Sequence, residues 1–132
     1  MQQLFLSIKY YEDHRNRTWV QALGRALQQR GVRLFCVASD LECWGTVHFS
    51  ASDLMLKTFE QIRNSQVVLV EFSVKGVGIG IEAGYAFGKG IPVWVAIQGD
   101  GEVSETLRGI AEKIFRYRDL DDLVEQLDEF ME

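Results

Sequence analysis

The stretch from Val67 to Val95, VVLVEFSVKGVGIGIEAGYAFGKGIPVWV, carries the pattern that decides the fold. Its first six residues, VVLVEF, have the length and the β-branched composition of a buried strand. Glycines at positions 76, 78 and 80 follow, where the backbone must turn tightly or approach a ligand. IGIEAGYAFGK then predicts a helix that Gly90 ends, and IPVWVAI predicts a second buried strand. Strand, glycine-rich loop, helix and strand in this order predict a right-handed βαβ crossover.

The remainder of the chain repeats this alternation. Short apolar runs predict further strands at 4–8, 32–38 and 113–117. Apolar residues at helical spacing predict helices at 15–30, at 53–64 with Ser50 or Ser52 as the N-cap, after Ser104 and after Asp119. Five short strands that alternate with helices predict a parallel sheet covered on both faces. The expected fold is therefore a single α/β domain over residues 1–132, a flavodoxin-like (Rossmann-like) three-layer sandwich with strand order 2-1-3-4-5.

The composition narrows the class of partner. The 132 residues are 47% hydrophobic and 25% charged, and the formal net charge is −5. No basic block is present, so a nucleic acid is not an expected partner. The cysteines at 36 and 43 form neither a disulfide framework nor a metal spacing, and His14 and His48 have no third ligand nearby. We expect a cytoplasmic protein that needs no metal or cofactor and does not bind membranes.

The predicted ligand site lies where the winding of the sheet reverses, beyond the carboxyl ends of the first and third strands. The candidate binding residues at these ends are Ser7, Ile8, Lys9, Tyr10, Ser73, Gly76, Gly78 and Gly80. Ser104 begins a later helix and is a candidate for binding an anion. The irregular segment 39–53 is predicted to be a loop at the site. Its Trp44 and Phe49 either stack on a base or pack the loop.

Glu82 is the candidate catalytic residue. Residues 78–83, GIGIEA, match the dinucleotide pattern G-x-G-x-x-G/A, but they follow the third strand and no acidic residue ends the next one. A Walker loop is excluded because the lysine and hydroxyl are missing. Placed in the first turn of its helix, Glu82 either complements the helix dipole or meets a ligand as a carboxylate that the dipole keeps ionised. The surrounding glycines favour the ligand, since they permit close backbone approach.

The segment GVGIGIEAGYAFGKGIPV at 76–93 resembles the nucleoside 2-deoxyribosyltransferase family, whose glycine-rich segment leads into E-x-G-x-A. The runs LFLSIKYYED at 4–13 and FEQIRNSQVVLVEF at 59–72 add weaker support. The related deoxynucleoside 5-monophosphate N-hydrolase family has a serine followed four positions later by Arg-Gly, which Ser104 and Arg108-Gly109 resemble. Its S-I-basic triplet is similar to Ser7-Ile8-Lys9.

The resemblance implies cleavage of a 2-deoxyribosyl N-glycosidic bond with Glu82 as the nucleophile. A covalent deoxyribosyl-glutamate then passes the sugar to a second base, with net retention, as in retaining glycosidases. It also implies a homo-oligomer, a dimer at least, with a site shared between subunits. A deoxynucleoside or deoxynucleotide and a free nucleobase are the implied partners.

Two positions depart from the family pattern. Thr58 and Gly76 stand where many members carry aspartates that assist sugar binding and protonation of the leaving base. Four other acids remain candidates for the proton donor: Asp13, Asp40, Asp53 and Glu60. Three functions follow: deoxyribosyl transfer between bases, hydrolysis of deoxynucleoside 5-monophosphates with Ser7, Lys9 and Ser104 on the phosphate, and non-catalytic nucleotide binding.

Overall fold

A computed structural model of the chain describes residues 1–131. The strands are β1 (Gln3–Ile8), β2 (Arg33–Phe35), β3 (Val67–Glu71), β4 (Val93–Gln98) and β5 (Lys113–Tyr117). The helices are α1 (Arg17–Gln28), α2 (Ala51–Arg63), α3 (Val77–Gly88), α4 (Glu105–Ile110) and α5 (Leu120–Asp128). All neighbouring strands pair in parallel in the order β2-β1-β3-β4-β5, which confirms the predicted fold class. No helix of residues 1–131 has the length and apolarity needed to cross a membrane.

The alternation of side chains along the strands assigns each residue to one face of the sheet. On one face Leu4, Leu6 and Leu69 pack against α1 and α5. On the other face Phe5 and Val70 pack with side chains of α2, α3 and α4. Ser7 lies two residues beyond Phe5 on β1, so its hydroxyl faces the same side as α3.

The helix ends agree with the predicted signals. The Oγ of Ser104 accepts a hydrogen bond from the Leu107 N–H at 3.4 Å, and the Asp119 carboxylate accepts one from the Asp122 N–H at 2.9 Å. Ser50, not Ser52, caps α2. Gly90, beyond the end of α3, has φ +74, a left-handed conformation that glycine adopts without a steric penalty.

β2 is shorter than predicted, ending at Phe35 instead of residue 38. The strand ends there because the Cys36 N–H donates a 2.8 Å hydrogen bond to the Asp40 carboxylate and does not pair with β1. Val37–Leu41 forms one π-helical turn and Cys43–Gly45 a short 3₁₀ turn. The segment predicted to be irregular, 39–53, therefore contains two tight turns before α2.

α3 begins at Val77, two residues earlier than predicted, with Gly76 as the N-cap. Gly78 and Gly80 are therefore helical and not part of a loop. Glu82 is the sixth residue of α3 and lies in its second turn, so the prediction of a first-turn acid is wrong. Glu82 is therefore not expected to be stabilised by the helix dipole, because that stabilisation decays within the first turn of a helix.

Candidate active site

The centre of the candidate site is a contact between β1 and α3. The Ser7 hydroxyl donates a hydrogen bond to Oε1 of Glu82 at 2.5 Å. Ser7 is buried, and Glu82 is largely shielded from solvent. Burial raises the pKa of Glu82 to about 7, although the hydrogen bond from Ser7 acts in the opposite direction. The Glu82 carboxyl group therefore titrates near neutral pH.

Glu82 lines a cavity of about 430 Å³ between the carboxyl ends of β1 and β2, α2 and the first turns of α3. Five of the binding residues predicted from the sequence also line it: Ile8, Lys9, Tyr10, Gly76 and Gly78. A Cβ atom at Gly76 would lie 3.2 Å from Cδ of Lys9, so glycine at this position gives the lysine side chain room. The volume is within the range of small-ligand sites.

Three of the other predicted binding residues line two adjoining cavities, whereas Ser7 is bonded to Glu82 and is not in the lining of any of these cavities. Gly80 and Ser104 line one of about 570 Å³, together with Lys75 and Thr106. Ser73 lines another of about 280 Å³. Lys9 borders all three cavities.

Part of the lining of the main cavity comes from the loops after β1 and β2, and the second of these includes the segment 39–53 that was expected at the site. His14 and Asn16 come from the loop after β1, and Glu42 and Trp44 come from the turns after β2. Trp44 was one of two aromatic candidates in that segment, whereas Phe49 is not among the lining residues. No motif marked His14, and Glu42 was covered only by the general expectation that the segment 39–53 lies at the site.

The four acids proposed as proton donors lie outside the cavity lining. The hydrogen bond from Arg15 lowers the pKa of Asp13. The Asp40 carboxylate accepts a hydrogen bond from the Cys36 N–H. Asp53 and Glu60 lie exposed on α2.

Thr58, at a family aspartate position, does line the cavity. Its hydroxyl donates to the Leu54 carbonyl oxygen at 2.8 Å. Within residues 1–131, Glu42 and Glu82 are the carboxylates that border the cavity.

Glu71, a buried carboxylate on the face of β3 that points away from α3, binds the start of the loop before α3. Glu71 accepts hydrogen bonds from the N–H and hydroxyl of Ser73, at 2.6 and 2.8 Å, and from the Tyr117 hydroxyl. Burial and the bond to Glu71 raise the pKa of Tyr117. The Ser73 Oγ also accepts a 3.0 Å hydrogen bond from the Gln98 N–H. These contacts join the loop to the ends of β4 and β5.

Comparison with solved structures finds neighbours over almost the whole chain. A 2-deoxyribosyltransferase from Bacillus psychrosaccharolyticus superposes with a TM-score of 0.74 at 13% identity, covering 92% of this chain and 90% of that one. The CMP N-glycosidase BcmB of Clostridium botulinum superposes with a TM-score of 0.70 at 14% identity, covering 98% of this chain and 100% of that one. A conserved protein from Enterococcus faecalis V583 superposes with a TM-score of 0.70 at 12% identity, covering 98% of each chain.

These likenesses confirm the expected resemblance at the level of the fold. Their sequence identities are too low to carry an activity across. No family model matches the chain, and no curated protein matches its sequence.

Proposed function

We propose that this protein belongs to the nucleoside 2-deoxyribosyltransferase family and transfers the 2-deoxyribosyl group of a deoxynucleoside from one nucleobase to another. The observation that carries the proposal is the carboxylate of Glu82, held by the Ser7 hydroxyl inside a cavity at the switch point of the sheet. The fold shared with a 2-deoxyribosyltransferase and a CMP N-glycosidase supports it.

In the proposed reaction Glu82 acts as the nucleophile. A carboxylate oxygen forms a bond to the anomeric carbon as the C–N bond breaks, and the bonding electron pair goes to the base nitrogen. A second base then attacks the same carbon, Glu82 leaves as a carboxylate, and the proton of the attacking nitrogen returns to the group that protonated the first base. Two inversions give net retention. The hydrogen bond from Ser7 orients the attacking carboxylate and favours its ionised form.

The leaving base needs a proton, and we assign its donor to Glu42. This assignment replaces the four acids considered from the sequence, which do not border the cavity. Glu42 is the second carboxylate of the lining and is partly buried. Glu42 follows β2 and Glu82 is on α3, so the two carboxylates reach the cavity from different segments.

Hydrolysis of deoxynucleoside 5-monophosphates is a second candidate, favoured by the adjoining cavity of about 570 Å³. This cavity brings together the cationic side chains of Lys9 and Lys75 and the hydroxyls of Ser104 and Thr106. Cations and hydroxyl donors are the groups that bind a phosphate. In this reaction water replaces the second base in the final step.

One assay separates these functions. The protein is incubated with deoxyadenosine plus cytosine, and separately with each deoxynucleoside 5-monophosphate, and the products are followed by chromatography. A new deoxynucleoside supports transfer, and free base with deoxyribose 5-phosphate supports hydrolysis. If neither product forms although the ligands bind, the protein is a nucleotide-binding domain and the catalytic proposal is wrong.

We also propose a homo-oligomer, at least a dimer, with a site shared between subunits. The outward face of α3 is uncharged, and Val77 and Ile81 on it are 83% and 47% exposed. Gly84 and Gly88 lie on the same face with open space beside their Cα atoms. An exposed apolar helix face next to Glu82 suits contact with a second copy.

A further inference from the structure

Asn16 is the N-cap residue of α1, but its side chain does not cap the helix. An asparagine at this position normally accepts a hydrogen bond from a backbone N–H of the first turn. The backbone of Asn16, with φ −96 and ψ 6, lies outside the extended region that capping residues adopt. Its Nδ2 instead donates a 2.9 Å hydrogen bond to the carbonyl oxygen of Lys9. The carboxamide of Asn16 is therefore held by the loop before α1 and not by the helix.

This hydrogen bond fixes the orientation of the amide and leaves its oxygen free. A carbonyl oxygen only accepts, so the group that faces Lys9 is the nitrogen of Asn16 and not Oδ1. Within residues 1–131 no N–H or O–H group donates to Oδ1. The one buried side-chain nitrogen or oxygen atom of this range that lacks a partner is Nε2 of His14. Oδ1 of Asn16 is therefore not enclosed by protein, and solvent reaches it.

Asn16 lines the cavity that contains Glu82 and also the adjoining cavity of about 280 Å³. The Thr58 hydroxyl of the main lining is buried and already bonded to the Leu54 carbonyl oxygen. The two carboxylates of this lining, Glu42 and Glu82, are the proton donor and the nucleophile of the proposed reaction. Oδ1 of Asn16 is thus a neutral hydrogen-bond acceptor that the protein itself does not use.

We propose that Asn16 is a substrate-binding residue whose Oδ1 accepts a hydrogen bond from a donor of the deoxynucleoside. This inference rests on the proposed function and adds a binding residue to it. A deoxynucleoside carries two kinds of donor, the sugar hydroxyls and the N–H groups of the base, and an amide oxygen accepts from either. The bond from Nδ2 to Lys9 holds the amide in place before the ligand binds, which lowers the entropic cost of binding.

NMR of the asparagine side chains tests this contact without a substitution at position 16. The chain has two asparagines, Asn16 and Asn64, so protein labelled with ¹⁵N at asparagine gives two side-chain NH₂ groups. The Glu82→Gln variant is labelled in this way and titrated with deoxyadenosine and with purine 2-deoxyriboside. We expect deoxyadenosine to shift the Nδ2 signals of Asn16. Asn64 is exposed at the end of α2 and lines none of the three cavities, so its signals are the internal control.

The second ligand identifies the donor, because the base of purine 2-deoxyriboside has no N–H group. If both ligands shift the Asn16 signals, the donor is a sugar hydroxyl, and if only deoxyadenosine does, the donor is the amino group of the base. If deoxyadenosine shifts the backbone amide of Gly76 in a uniformly labelled sample but not the Asn16 side chain, the inference is wrong and the proposed function stands. If neither ligand shifts either signal, both proposals are overturned.

Three variants in the Glu82→Gln background give an independent measurement. Asn16→Leu removes the acceptor at nearly constant size, Asn16→Asp keeps an acceptor but loses the N–H bond to Lys9, and Asn64→Leu is the matched control. We expect Asn16→Leu to weaken deoxyadenosine binding about threefold to tenfold, the effect of one lost hydrogen bond. The other two variants should bind as tightly as the unsubstituted protein.

Two results would overturn the contact. Equal weakening in both Asn16 variants would assign the effect to the bond with Lys9, and unchanged affinity in Asn16→Leu would show that the ligand does not use Oδ1. The NMR titration decides the question if a variant does not fold.

Discussion

The Ser7 hydroxyl on β1 donates a 2.5 Å hydrogen bond to the Glu82 carboxylate on α3, across the crevice where the winding of the sheet reverses. Burial raises the pKa of this carboxyl group to about 7, and the Ser7 bond limits the increase. The two effects oppose each other, and the carboxyl group of Glu82 changes its protonation state near neutral pH. The predictions below depend on this pair and on the groups around it.

Replacing Glu82 by Gln should abolish turnover and leave the fold intact. The amide has nearly the same shape but cannot form the covalent bond to the sugar, so we expect kcat to fall by roughly three orders of magnitude or more. Base exchange followed by chromatography measures the loss. The control is Glu125→Gln, which changes an exposed carboxylate on α5 and should keep wild-type activity. Activity retained in Glu82→Gln would exclude Glu82 as the nucleophile.

Activity should rise with pH through about 7. The nucleophile reacts as the carboxylate, so kcat/KM should decrease about tenfold per pH unit well below the pKa of Glu82. Ser7→Ala removes a bond that lowers this pKa, and the acid limb of the profile should therefore move to higher pH. Profiles of kcat/KM for wild type and Ser7→Ala test this. A Ser7→Ala profile shifted to lower pH would contradict the assigned role of Ser7.

The same carboxyl group should make folding stability depend on pH. Its folded pKa of about 7 lies above the ordinary value of 4.5, so its neutral form favours the folded state. That contribution is fully present below pH 4.5 and is lost as pH rises to 7. Relative to Glu82→Gln, the wild type should lose on the order of 2–3 kcal/mol of unfolding free energy between pH 4.5 and 8. Urea unfolding at both pH values measures it, and parallel changes in the two proteins would refute the buried-carboxyl account.

The contact between Tyr117 and Glu71 should contribute strongly to stability. Tyr117→Phe removes one of three donors to a carboxylate that is 5% exposed, and the cost should be about 1–3 kcal/mol in unfolding free energy. Tyr85→Phe is the matched control, because it removes an exposed hydrogen bond from Arg63. We expect a loss of about 0.5 kcal/mol or less there. Equal losses in the two variants would show that the buried site has no special contribution.

A charge on the outward face of α3 should disrupt the proposed oligomer. Ile81→Lys places an ammonium group on the face that carries Val77, and burial of that charge in an interface is unfavourable. Light scattering should give a larger mass for the wild type than for this variant. Ile114→Lys, on edge strand β5, controls for the substitution itself. A monomeric wild type with full activity would disprove the shared site.

The sequence by itself determined the architecture and the identity of the central carboxylate. Apolar runs and helical periodicity depend on near neighbours in the chain, so the strand order and the caps at Ser104 and Asp119 could be predicted. The sequence predicts the start of α3 two residues late, because Gly76 and Gly78 indicate a loop when packing is unknown. Buried contacts of Ile79 and Ala83 outweigh the low helix propensity of Gly78.

Only the tertiary structure decided the surroundings of Glu82. Ser7 and Glu82 are 75 residues apart, and their hydrogen bond exists because β1 and β3 pair and α3 packs back on the same face. The pKa of Glu82 follows from that burial, and no motif encodes it. His14, Glu42 and Trp44 also meet at this cavity, although His14 follows β1 and the other two follow β2. Local pattern fixes the elements, whereas contacts between distant segments determine which side chains share a site.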